Sequence, residues 1–209
     1  SKIVAFYPMV GGIGATCKYN GKNTSLYTIN FAGGGWVFSS TGAKPNGSSS
    51  YGDTGLIPNS VLSNSSLSFG AYIRTNDLTG VQAYGCYDGS WVVHYFDVSG
   101  TGYLFSGGAS NFITYSPVTT KRLFIHSRET SSSATSYQDG SVLGTDANFC
   151  AAIPTVSFTF GAQNQSPIPA AFSDHEVAFG FIGHALTPTD CANLKTCVDT
   201  FQLGLSRNV

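Results

Sequence analysis

The chain predicts an all-β protein, a sandwich or barrel, with one helix near the C-terminus. Three observations carry this. About a dozen short apolar runs, many alternating, recur at regular spacing with Gly, Asn, Asp and Pro turn formers between them. A helical stripe appears only in the C-terminal segment. The 209 residues include 25 glycines, with 42% hydrophobic and 13% aromatic residues, which suits many tight turns around a proper core.

Residues 3–10, IVAFYPMV, form the first strand, and 11–22 a turn-rich loop with Asn20-Gly21. Residues 25–31, SLYTINF, are a strand that Gly33-Gly34-Gly35 breaks before Trp36-Val37-Phe38 resumes it. Residues 44–50 are loop, with Pro45, Asn46 and Gly47 as turn formers. A short strand over 51–56 and a loop, IPNSVLSNSS, follow. Residues 67–74, LSFGAYIR, alternate well. Residues 81–87 and 90–98 flank Asp88-Gly89, a two-residue hairpin signal. Shorter strands cover 102–106 and 111–115. Residues 122–129, RLFIHSRE, and 135–138 form a hairpin around SSSA, and Asp139-Gly140 turns into 141–144. Residues 155–161 are the next strand and 163–173 a long loop with two prolines.

The last elements are the most specific. Residues 176–182, EVAFGFI, alternate, and Gly183-His184-Ala185-Leu186 turns away. Thr187 is a good N-cap, Pro188 fits the first helical position, and Asp190 favours the positive end of the helix dipole. Cys191, Leu194, Val198, Phe201 and Leu205 then recur at spacings of three and four, one apolar stripe on a helix lying against a larger body.

This order of strand, G-x-x-L-T turn, capped helix and short tail resembles the closing segment of concanavalin A-like (laminin-G-like) jelly-roll domains. It looks most like those of bacteriophage virion and tail-fibre proteins and related bacterial surface proteins. The stretch 122–144 is also similar to the family's strand, strand, N/D-G turn and strand. The resemblance implies a two-sheet antiparallel jelly-roll sandwich with one short C-terminal helix, spanning 1–209 as a single domain. It also implies that the first strand lies near the last, so that the two ends meet. It places the protein on a virion, made in the host cytoplasm and acting outside the cell. Its partners would be a host-surface glycan, other virion subunits or further copies of itself.

Composition narrows the classes. Charged residues are only 10%, against roughly a quarter in ordinary domains. The net charge is −1 and no basic patch exists, which argues against nucleic acid. No apolar run is long enough to cross a bilayer, so membrane insertion is not expected. No leader segment precedes the first strand, and a start directly on a strand suggests a fragment or a processed chain. The five cysteines, Cys17, Cys86, Cys150, Cys191 and Cys197, cannot all pair within one chain, and none has C-x-x-C spacing. Free, mostly buried thiols fit folding in a reducing compartment.

Catalysis is not expected. Glycanases need two carboxyl groups a few ångströms apart, which on a strand means acids at alternate positions. The only glutamates are Glu129 and Glu176, and the only alternating acid pair is Asp174 and Glu176, at a strand edge. No G-x-S-x-G elbow accompanies His94, His126, His175 or His184. Cofactors are not expected. Calcium remains open through Asp174-His175-Glu176 and through Asp77 and Asp146 in loops, although no D-x-D-x-D run appears.

Carbohydrate recognition needs aromatic faces and amide or carboxyl groups. Tyr84, Tyr87, Asp88, Trp91, His94, Tyr95 and Tyr103 gather around one hairpin, and Asn111 and Tyr115 extend the set. Trp91, Val93 and Tyr95 share one face of their strand, and Val92, His94 and Phe96 the other. One face must be core, and the sequence leaves open that Trp91 and Tyr95 belong to it. The expected carbohydrate-binding residues are Tyr87, Asp88, Trp91, Tyr95 and Asn111. A structural virion module without glycan binding is the alternative reading, and a glycan-degrading enzyme the third.

Overall fold

A computed structural model describes every residue except 78–81, 98, 118 and 166–167. In chain order its strands are β1 (Ile3–Tyr7), β2 (Asn30–Ala32), β3 (Val37–Ser39), β4 (Gly42–Lys44), β5 (Tyr51–Asp53), β6 (Leu67–Ile73), β7 (Gln82–Tyr87), β8 (Trp91–Phe96), β9 (Gly102–Gly107), β10 (Phe112–Tyr115), β11 (Arg122–Thr130), β12 (Ser133–Gln138), β13 (Ser141–Asp146), β14 (Thr159–Phe160), β15 (Gln163–Asn164), β16 (Pro169–Ala170) and β17 (Val177–Gly183). The helices are α1 (Gly14–Cys17), α2 (Pro58–Val61) and α3 (Pro188–Gly204).

Two sheets stack as a sandwich. The first runs β13-β12-β11-β6-β17-β4-β3, with β1 also paired to β17. The second runs β10-β9-β8-β7-β14-β5-β2, with β15 on β7 and β16 on β15. Among the described residues pairing is antiparallel apart from the short β15–β7 ladder. The β1–β17 register joins the two ends of the chain, Phe6 opposite Phe181 and Tyr7 opposite Gly180.

The core explains why β6 and β17 are buried along their whole length. One face of the first sheet meets the second sheet. Tyr7, Phe69, Phe124 and Ile182 there pack with Tyr84, Val92, Phe96, Leu104 and Phe160. Its other face carries Tyr72, Leu123, Ile125, Phe179 and Phe181, which α3 covers with Cys191 and Val198. A strand sandwiched on both sides reads as nearly continuous apolar sequence. Gly180 is a glycine because a Cβ there would sit 2.4 Å from the Phe160 ring.

Helix α3 begins as expected. The Thr187 hydroxyl accepts from the Asp190 amide at 3.2 Å, and the Asp190 carboxylate accepts from the Thr187 amide at 2.8 Å, a complete capping box. Its C-terminal end differs. Leu205 lies beyond the helix and is exposed, while Gln202 is buried in its place. The cause is Arg207, whose buried guanidinium donates to Gln202 Oε1 and to the carbonyls of Pro8, Met9 and Ala178.

Other boundaries shift too. The strand expected over 25–31 survives only as β2, because Tyr27 adopts φ +56° and ends the extended run before it. The strand expected over 155–161 shrinks to β14. The loops expected over 11–22 and 57–66 each hold one helical turn, and the loop at 163–173 contains β15 and β16. Val81 and Val98, the ends of two expected strands, lie outside the described residues.

Candidate functional site

The register of β7 to β10 sorts the hairpin residues into two faces. Tyr87 pairs with Trp91, Trp91 with Gly107, Val93 with Phe105, Tyr95 with Tyr103, and Phe105 with Phe112. These positions face outward, away from the first sheet. Val92, His94, Phe96, Leu104, Ile113 and Tyr115 face inward and are buried. Strand β10 shows the split most plainly, with Phe112 and Thr114 exposed and Ile113 and Tyr115 buried. Trp91 and Tyr95 are therefore half-buried on the outer face and not core.

The outer rings touch in series. Tyr87 and Trp91 have centroids 4.0 Å apart, Trp91 stacks on Phe105 at 4.9 Å, and Phe105 meets Phe112 at 5.3 Å. Tyr103 lies 6.0 Å from both Tyr95 and Phe105. A groove of about 570 Å³ runs beside this surface, bordered by Trp91, Tyr95, Asp97, Tyr103 and Phe105 from β8, β9 and the turn between them, and by Gln163, Gln165 and Ala171 from the β15–β16 region. Asp97 Oδ1 accepts from the Ser99 hydroxyl at 2.6 Å and from the amides of Ser99 and Thr101. Those bonds hold its carboxyl below the usual carboxylate range. Flat apolar rings beside a few polar groups suit a ligand with a flat apolar face and hydroxyls at its rim.

Of the residues expected here, Trp91 and Tyr95 line the groove, and Tyr87 extends the ring series from the end of the hairpin. Asp88 sits at the exposed turn but is already engaged. Its Oδ2 accepts from the Thr155 amide at 2.8 Å and hydroxyl at 2.5 Å, tying loop to hairpin. Partial burial, which would raise its pKa, is outweighed by those bonds, and the carboxyl is held low.

Asn111 is a correction. It is 2% exposed and works inside the protein. Its Oδ1 accepts from the Gly108 amide at 2.9 Å, and its Nδ2 donates to Asn148 O at 2.8 Å and toward Asp146 Oδ2 at 3.4 Å. Both N–H donors and the carbonyl are engaged in ordering neighbouring loops, and its burial keeps it from the surface where a ligand would sit. Tyr84, His94 and Tyr115 are likewise interior. His94 bridges the two phenols, Nδ1 to Tyr84 at 2.8 Å and Nε2 to Tyr115 at 2.5 Å. Phe105, Phe112, Asp97, Gln163 and Gln165 were not anticipated. Alternation within 102–106 and 111–115 carried a signal for the two phenylalanines, whereas the glutamines reach the groove only through the β15–β7 pairing.

Three further acids lie against cations or hydroxyls. Asp146, expected in a loop, ends β13 and pairs with the buried Arg128 guanidinium at 2.5 Å. Glu176 accepts from the Thr41 hydroxyl at 2.5 Å and lies 3.5 Å from Arg74 Nε, and Asp174 lies 3.9 Å from Lys44 Nζ. His126 links the hydroxyls of Ser136 and Ser106 at 2.7 and 2.6 Å. Burial, with the Arg128 charge adding to it, lowers its pKa to about 3. Among the described residues no three His, Cys, Asp or Glu side chains converge as a metal site, and no helix is long and apolar enough to cross a membrane.

No protein-family model and no curated protein sequence matches the chain. Solved structures do. Trypanosoma rangeli sialidase in complex with sialic acid aligns over 96% of this chain at TM-score 0.64 and 14% identity. A mutant of that sialidase displaying trans-sialidase activity aligns at TM-score 0.67 and 15% identity. In both, the chain spans only 33% of the other protein's length. Domain 4 of AbnA, a GH43 extracellular arabinanase from Geobacillus stearothermophilus in complex with arabinotriose, aligns over 93% of this chain and 98% of its own. There the TM-score is 0.54 and the identity 17%. At these identities the likeness establishes the fold, a β-sandwich compatible with the concanavalin A-like class.

Proposed function

We propose that this protein is a non-catalytic carbohydrate-binding domain and that the outer face of β7–β10 is its binding surface. One observation carries the reading: a continuous row of half-buried, outward-facing rings from Tyr87 to Tyr95 and Tyr103 beside a groove with amide and carboxylate edges. An ordinary soluble surface has little reason to stack rings in water, and such a patch marks a binding site. Two further points support it. The sandwich is shared with domains of carbohydrate-active enzymes, one of them in complex with arabinotriose. Asp97 is the one carboxylate among the described groove residues, where most glycosidases use a pair. The resemblance of the closing segment to virion jelly rolls extends the proposal to a bacteriophage particle. There it would attach to a host-surface glycan beside other virion subunits.

The test is a glycan array including bacterial polysaccharides, run with and without calcium. Selective binding that falls about tenfold in Trp91→Ala, with an unchanged unfolding midpoint, is the expected result. A blank array, or binding indifferent to Trp91→Ala, overturns the assignment and favours a purely structural module.

A further inference from the structure

The groove's own chemistry narrows what it accepts, given the glycan-binding reading above. Its one charged lining group among the described residues is the Asp97 carboxylate, and neither Lys nor Arg borders it. Asp97 Oδ1 is saturated by Ser99 and Thr101, whereas Oδ2 receives only the Tyr103 hydroxyl, at a long 3.3 Å. That oxygen retains acceptor capacity. Across the groove, Gln163 is 1% exposed. Its Oε1 accepts from Gln165 Nε2 at 3.0 Å, while its own Nε2 is buried with no hydrogen-bond partner. Buried donors are almost always paired, and an orphan in a native interior calls for an explanation. Gln163 lines the groove, so a turn of its amide about the last side-chain bond brings this free donor to an oxygen of a bound ligand.

We infer that the groove selects neutral, hydroxyl-rich saccharides over acidic ones, and that Gln163 is a specificity-determining residue. A sugar ring stacks on Trp91 and Tyr95, Gln163 Nε2 donates to one of its hydroxyl or carbonyl oxygens, and Asp97 Oδ2 accepts from one of its hydroxyls. A sugar carboxylate finds no cation there and meets the like charge of Asp97, which acts as a built-in rejection. A site built to hydrogen-bond a ligand oxygen also discriminates against analogues lacking it.

The experiment compares matched oligosaccharides by calorimetry. Cello-, malto- and arabino-oligosaccharides serve as neutral probes, and oligogalacturonides and sialyllactose as acidic ones. Wild type is expected to bind at least one neutral probe at least tenfold more tightly than any acidic probe. Gln163→Leu should weaken the neutral probe about tenfold, the loss of one buried hydrogen bond, while leaving the unfolding midpoint unchanged or raised because an unpaired amide has gone. Asp97→Asn should narrow the gap between neutral and acidic probes.

Preference for an acidic probe, lost in Trp91→Ala, overturns this inference and leaves the glycan-binding face standing. So does undiminished neutral binding by Gln163→Leu. Failure of both probe sets to bind, together with a blank bacterial array, overturns the glycan-binding reading itself.

Discussion

Asn111 separates a structural role from a binding role most sharply, because its residue type and neighbourhood suit sugar recognition while its environment does not. Asn111→Ala removes two well-formed hydrogen bonds, from the Gly108 amide at 2.9 Å and to Asn148 O at 2.8 Å, and a weaker one to Asp146 at 3.4 Å. Each neutral bond contributes about 1 kcal/mol net, and a buried partner left without its mate adds to the cost. The third contact, long but to a carboxylate, brings the expected loss to about 2–3 kcal/mol. At an m-value of about 2 kcal/mol/M, the urea midpoint falls by roughly 1 M. Equilibrium unfolding followed by tryptophan fluorescence reads this directly, and glycan binding is measured on the same preparation below the transition. Binding should persist within about twofold. An unchanged midpoint with abolished binding would refute the structural assignment and return Asn111 to the ligand site.

Three other outcomes follow from the same interior. Asp146→Ala leaves the Arg128 guanidinium, 0% exposed, without its carboxylate, and should destabilise by about 3–5 kcal/mol, whereas an Arg128→Met, Asp146→Leu pair should cost much less; equal losses in urea would contradict a buried ion pair. His126 titrates near pH 6.5 in the unfolded chain and near 3 when folded, so its contribution is complete above about pH 6.5 and declines as the pH falls toward 3. Lowering the pH from 6.5 to 5 should cost about 2 kcal/mol from this residue, and His126→Gln should flatten that slope; parallel slopes would exclude it. All five cysteines are free thiols and only Cys197 is exposed, so Ellman's reagent should titrate one thiol in the native protein and five in urea; a second fast native thiol would show that a buried cysteine is accessible.

What the sequence determined by itself was local in origin. The Thr187-Pro188-Thr189-Asp190 start of α3 depends on contacts within one turn, so its capping box was legible from four residues. The Asp88-Gly89 turn and the strands on either side of it were readable from the turn residues and the alternation in the same stretch, although Tyr87 pairs with Trp91, so Ser90 joins the loop and the connection has three residues where two were expected. Alternation along β8 also divided Trp91 and Tyr95 from His94 and Phe96. It could not say which set faces water, because both are apolar enough to be core. Tertiary structure decided that: α3 covers the outer face of the first sheet, whereas on the outer face of the second Trp91, Tyr95, Tyr103 and Phe105 stay half-buried and Phe112 is exposed. The same limit explains the other differences. Asn111 turned inward because Arg128 and Asp146, distant in sequence, are paired beside it, and Leu205 lost its place to Gln202 because Arg207 folds back on Pro8, Met9 and β17. Gln163 entered the site through a ladder to a strand far earlier in the chain. Periodicity and turn chemistry act over a few residues, whereas burial and hydrogen-bond satisfaction depend on which distant elements pack together.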